Sequence, residues 1–176
     1  MFKLRTAVCK LRIIKRSLVA DITGSDVATQ SRNSLMVLDD NIMRILTLND
    51  KRHEYSLIHD EIRGNPTCGM LSIAALYIAL RSPRSCESIN DIKVLYHNIK
   101  DLLIADKLNH RERYYASFLY QWARGNYYKA ASSLESISVV LPNDTLAMKL
   151  AQECHIAAGN NYGALTCITR YMPMIC

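Results

Sequence analysis

ARGNYYKA at residues 123–130 is followed, 34 residues later, by AAGNNYGA at residues 157–164. At that offset Ala123, Gly125, Asn126, Tyr128 and Ala130 meet Ala157, Gly159, Asn160, Tyr162 and Ala164, five identities in eight positions, and Leu134 with Ile168 extends the match conservatively. Agreement of this kind arises by chance in about one chain in a hundred of this length, and the period is one that helical repeat arrays use. A helix pair of that size cannot bury its apolar face alone, so it stacks on the next pair, with a small residue where two helices cross closely. Ala130 and Ala164 supply the small residue, Gly125 and Gly159 permit the reversal within each pair, and Pro142 closes the first unit twelve positions after Ala130.

Elsewhere the apolar spacing stays helical, and no run shows the alternation of two that a half-buried strand requires. The pattern predicts eight helices in four pairs: 31–48 with 51–63, 67–81 with 88–106, 109–124 with 126–140, and 144–158 with 160–171. Gly64-Asn65-Pro66 and Leu141-Pro142-Asn143-Asp144 separate pairs, since proline stops one helix and Asp or Thr caps the next. The expected fold is therefore all-α, a helical-hairpin array. Residues 31–176 form its body, and residues 1–30 a leader and linker, with Ile22 to Gln30 read as the linker itself.

Gly125, Ala130 and Pro142, at relative positions zero, five and seventeen, resemble the tetratricopeptide repeat, which implies an α-solenoid with a concave surface built from the first helices. A longer stretch, LNHRERYYASFLYQWARGNYYKAASSLESISVVLPNDTLAMKLAQECHIAAGN, resembles the N-terminal part of the tetratricopeptide repeat protein 38 family. Arg111, Glu112, Trp122, Ala123, Gly125, Asn126, Lys129, Ala130, Pro142, Asp144, Leu146, Ala147 and Lys149 carry that resemblance, and NPTCGM at 65–70 adds to it. Family members are more than twice as long, so the resemblance implies a short or truncated relative. It implies no catalytic residue.

The net charge of +6 points first to nucleic acid, but its position along the chain says otherwise. Lys3, Arg5, Lys10, Arg12, Lys15 and Arg16 crowd an acid-free start, and the other sixteen basic residues are matched by sixteen acids. A body without its own basic stripe is not expected to bind nucleic acid, which leaves an RNA-binding repeat as a lesser alternative. Leu4, Ala7, Leu11, Ile14 and Leu18 fall on one face of a helix, with Arg5, Arg12 and Arg16 opposite. That pattern fits an end-capping helix or a mitochondrial presequence. The six cysteines are scattered without a CxxC pair, which suggests thiols in a reducing compartment; the expectation is cytoplasmic, with mitochondrial as the alternative. The uncharged run from Cys68 to Leu80 is too short to cross a bilayer.

Little in the sequence promises chemistry. His53 and His59 are six apart and point to different faces of a helix, unlike the four-residue spacing of a zinc site, and Cys154 and His155 are neighbours that diverge on a helix. No phosphate-binding glycine loop or hydrolase elbow is present. No cofactor, metal or catalytic residue is expected, and Tyr114, Phe118 and Trp122, spaced by four, read as a packing stripe. Projecting the tetratricopeptide groove positions onto the first helices gives Glu112, Tyr115, Leu119 and Trp122, then Leu146, Lys149, Glu153 and Ile156. This apolar, mixed set lacks the Lys and Asn cluster that clamps a C-terminal carboxylate. It suits an apolar or aromatic-anchored peptide, so the favoured function is a non-enzymatic scaffold holding a protein partner, with an enzyme or enzyme-associated subunit as the alternative. Without a polar end helix, the chain is also expected to self-associate or dock a partner through Leu165, Ile168, Tyr171, Met172 and Ile175.

Overall fold

The structure, a computed structural model, describes residues 18–29, 31–47, 55–81 and 89–171. Eight helices dominate it: α1 Arg32–Thr47, α2 Tyr55–Gly64, α3 Gly69–Arg81, α4 Ile89–Ile104, α5 His110–Ala123, α6 Tyr127–Val140, α7 Thr145–Ala157 and α8 Asn161–Tyr171. Each falls within a few residues of its predicted span. Amphipathic spacing explains most of them: α1 buries Leu38, Ile42 and Ile45, and α4 buries Leu95, Ile99 and Leu102, on single faces. Helix α3 has no polar face. Nearly all of GMLSIAALYIALR is buried, which requires neighbours on every side.

The contacts supply those neighbours. Helix α3 packs on α1, α2, α4 and α5, and β2 of the hairpin described below lies against it. In the second half the helices follow one another, α5 on α6, α6 on α7 and α7 on α8, while α1 reaches across to α7. Tyr77 of α3, buried against α5, has its ring 5.7 Å from Phe118 and 5.9 Å from Trp122. Of the aromatic stripe, Phe118 is fully buried, and Tyr114 and Trp122 pack partly buried against the core. Cys154 is core, as its spacing from Leu146 and Leu150 suggests.

The two copies of the repeated sentence fold alike. Gly125 N–H donates to Trp122 O at 2.9 Å and Asn126 N–H to Gln121 O at 2.9 Å; Gly159 N–H donates to Ile156 O at 2.9 Å and Asn160 N–H to His155 O at 2.8 Å. Donors and acceptors correspond at an offset of 34. Gly125 and Gly159 have φ of 72° and 71°, a conformation that costs an L side chain roughly 1 kcal/mol and a glycine almost nothing. Asp106 takes the same left-handed conformation after α4, with φ 55°. Ala130 and Ala164 are both buried.

The expectation of no strands fails at residues 18–28. Leu18–Ala20 (β1) pairs antiparallel with Asp26–Ala28 (β2), Val19 opposite Val27. Leu18 therefore belongs to a strand, not to a helical stripe, and Ile22 to Thr29 is packed structure in place of the expected linker. Asp21 is the physical reason. Its Oδ1 accepts from Thr23 N–H at 2.9 Å, the Thr23 hydroxyl at 2.6 Å and Ser25 N–H at 3.2 Å, closing the turn from within.

Candidate partner-binding surface

Four of the eight projected groove residues are consumed inside the molecule. Arg111, on the first turn of α5, donates from Nη1 to Asp21 Oδ2 at 2.7 Å and from Nε to Asp144 Oδ2 at 2.6 Å, and all three are buried. Tyr115 lies one turn on and donates its hydroxyl to Asp144 Oδ1 at 2.9 Å. Asp144 also caps α7 by accepting from Ala147 N–H at 3.1 Å. Burial opposes the Arg111 charge, but Tyr115, Asp144 and Asp21 around it win and hold the guanidinium protonated. Burial, with Asp144 alongside, pushes the Tyr115 phenol well above its usual value.

Glu112 closes a capping box with Asn109 and accepts from Ala28 N–H at 3.2 Å, so it ties β2 to α5. Burial raises its carboxyl, although backbone donors from Asn109 and Ala28 pull the other way. Leu119 and Leu146 complete the buried set. Helices α1 and α3 press on α7 and α5, and the hairpin covers the start of α5, which the repeat position alone does not reveal.

The other four remain accessible. Trp122, Lys149 and Glu153 are half-buried, and Ile156 is 55% exposed. Trp122, Glu153 and Ile156 lie toward the C-terminal ends of α5 and α7, Lys149 sits one turn before Glu153, and Tyr77 of α3 is buried beneath them. Its hydroxyl donates to Glu153 Oε2, while its ring meets Trp122 edge-on. Glu153 Oε1 stands 3.6 Å from Lys149 Nζ and 3.8 Å from Arg81 Nη1, so both cations cluster on one carboxylate. Burial, then Glu153, drives the Tyr77 phenol far up, which keeps it a donor at any physiological pH.

The Tyr127 ring sits 5.1 Å from that of Trp122, centroid to centroid. Tyr127 also lines a cleft of about 440 Å³ between the two repeat turns, with Gly125, Asn126, Tyr128, Lys129, Ala157 and Ala158. The surface thus runs from Arg81 past Glu153 and Trp122 into the cleft, with Tyr77 buried beneath it. Sequence projection missed Arg81, Tyr77 and Tyr127. Tyr127 was within reach, because it sits inside the repeated sentence; Tyr77 and Arg81 belong to α3, whose apolar run looked like core alone.

Chemistry does not converge elsewhere among the described residues. No group of three or more His, Cys, Asp or Glu side chains could hold a metal there. His53 lies outside the described residues. His97 bonds Lys93 O within α4, His110 meets the Tyr114 ring edge-on, and His155 meets Glu135 Oε1 at 3.0 Å. Burial raises the thiols of Cys68 and Cys167 to about 11 and of Cys154 to about 12, values at which the nucleophilic thiolate is scarce near neutral pH. No described helix is long and apolar enough to cross a membrane. No family model matches the chain, and searches of curated proteins and of solved structures return no significant match.

Proposed function

We propose that this chain is a non-enzymatic helical-repeat scaffold of the tetratricopeptide type, working in the cytoplasm and holding a protein segment on the surface that Trp122, Lys149, Glu153 and Ile156 share with Arg81, with Tyr77 buried beneath it. The observation that carries the reading is the convergence of three first-helix ends on one accessible aromatic and charged surface that opens into the cleft between the turns. The matched hydrogen bonds at Gly125 and Gly159 support the repeat, and the kinship to the tetratricopeptide repeat protein 38 family is proposed on the sequence resemblance. Such a surface suits an extended peptide with an aromatic or aliphatic anchor beside Trp122 and Tyr127. The peptide's own polar groups would bond to Arg81 and Lys149 at the rim.

A random-peptide library selected on the wild-type chain and counter-screened on Trp122→Ala/Lys149→Ala tests this. Aromatic-anchored peptides should emerge and bind the variant roughly thirtyfold more weakly, the effect of losing one anchor residue. Peptides that bind both proteins equally would remove the groove from the argument.

A further inference from the structure

Helix α6 packs along α7, but α4 rests on α3 and scarcely meets α5. The seam left between α4 and α5 is a pocket of about 190 Å³. Leu76 and Leu80 of α3 form its floor, Ile92 and Ile99 of α4 one wall, and Ala116 and Leu119 of α5 the other. Leu76, Ile99 and Leu119 belong to the core, so the pocket opens onto apolar interior. Ala116 and Ala123, two turns apart on α5, are too small to fill the gap. Tyr96 and Tyr120 line it from opposite helices, each 44% exposed, and the Arg124 guanidinium lies 5.1 Å from the Tyr120 ring centroid. Lys93 and His97 also line the pocket, and no acid is among the described residues that do.

We infer that this pocket binds a small aryl-alkyl carboxylate, its ring between Tyr96 and Tyr120 and its carboxylate beside Lys93. Aliphatic and tyrosine walls favour an apolar body with an aromatic ring, since paired rings add attraction beyond the area they bury. Size excludes a larger occupant, because drug-sized ligands fill about 300–1,000 Å³. A peptide backbone also fits poorly: its N–H and C=O groups would leave water for walls made mostly of hydrocarbon. Charge decides the rest. With Lys93, His97 and Arg124 around the opening and no acid among the described lining residues, an anionic head is drawn in and a cationic one repelled. The site shares no residue with the surface around Trp122, so the two readings fail separately.

Hydrocinnamate, a phenyl ring on a short carboxylate chain, serves as the probe, titrated into the full chain and followed by the methyl NMR signals of leucine and isoleucine. Saturable shifts are expected at Leu76, Ile92, Ile99 and Leu119, with a dissociation constant of about 1 mM, in keeping with so small a ligand. The neutral amide of the same acid should bind about fivefold more weakly. Lys93→Glu should weaken the acid by a similar factor, and Lys107→Glu, beyond the end of α4, should change nothing. Lys93 is exposed, so its substitution should leave the thermal midpoint unchanged, and melting curves check that. Ala116→Leu, which fills the pocket, should abolish the shifts. Absence of saturation at about 20 mM acid, shifts centred elsewhere or surviving Ala116→Leu, equal binding of acid and amide, or indifference to Lys93→Glu overturns the inference. A wild-type chain that sediments as a dimer, and as a monomer after Tyr96→Lys, overturns it as well, because a second copy would then cover the opening.

Discussion

At the α5–α6 turn the Asn126 amide reaches back to Gln121 Oε1 at 3.2 Å and leaves α6 without a side-chain cap, whereas at the α7–α8 turn Asn160 accepts from Gly163 N–H at 2.9 Å and its amide lies 3.4 Å from His155 Nδ1. The same asparagine, at the same place in the repeat, does two jobs. The residues around it decide which: Gln121 corresponds to His155, and Lys129 to Gly163. A Cβ on Gly163 would meet Asn160 Nδ2 at 2.4 Å and His155 Nδ1 at 2.7 Å, so glycine is what lets Asn160 close the cap. The backbone repeat is therefore preserved by a short list of residues, while the side chains between them specialise. A third difference lies at the helix starts. Helix α5, capped by Asn109, is also tied to the hairpin through Arg111 and Asp21, whereas the cap of α7, Asp144, is held by that same Arg111 from α5.

That difference in anchoring gives the largest expected effect. Arg111→Met leaves Asp21 and Asp144 buried without their cation, and removing one partner of a buried ion pair costs about 3–5 kcal/mol. Urea unfolding should register the loss, and hydrogen exchange should show residues 18–28 losing protection ahead of α7 and α8. Uniform loss of protection would mean that the anchor serves both hairpins equally. A smaller effect separates the turns themselves: Gly163→Ala should cost about 1–3 kcal/mol through crowding, and Lys129→Ala at the equivalent position well under about 0.5 kcal/mol. Equal costs would erase the specialisation inferred for Asn160. Alike between the two turns are Gly125→Ala and Gly159→Ala, each expected to cost about 1 kcal/mol because both residues hold the same left-handed conformation in open space. A clear inequality between them in thermal melts would break the equivalence of the two turns.

The helices were legible because their signals are local. Apolar residues recur at helical spacing, and glycine, proline and capping residues sit at the ends, so even α4 and α8 fall close to their predicted limits. The hairpin was not, since three-residue strands are too short to display alternation, and Asp21, Thr23 and Ser25 read equally well as a solvated loop. Exposure at the projected positions was half legible. Repeat position told which residues of α5 and α7 face inward, but not that α3 would lie against Leu119, nor that Tyr115 would be sealed by Asp144. One clue was present: a helix with no polar face must be enclosed, so α3 had to lie between other helices. Arg111 stood out only through family resemblance, because its partners are 90 and 33 residues away and no spacing rule reaches that far.

Those separations bear on how the chain is made. Asp21 leaves the ribosome 90 residues before Arg111, a wait of about 5–20 s at ordinary synthesis rates, and Asp144 follows 33 residues later still. Throughout that interval two acids and one guanidinium have no reason to leave water, so the hairpin's hold on the early helices rests on lesser links such as Ile22 N–H on Asp39 Oδ1 at 2.8 Å. Only when the third charge arrives can the lock close. A nascent chain stalled before Asp144 should accordingly keep its N-terminal hairpin open to protease, and release of a few more residues should shut it.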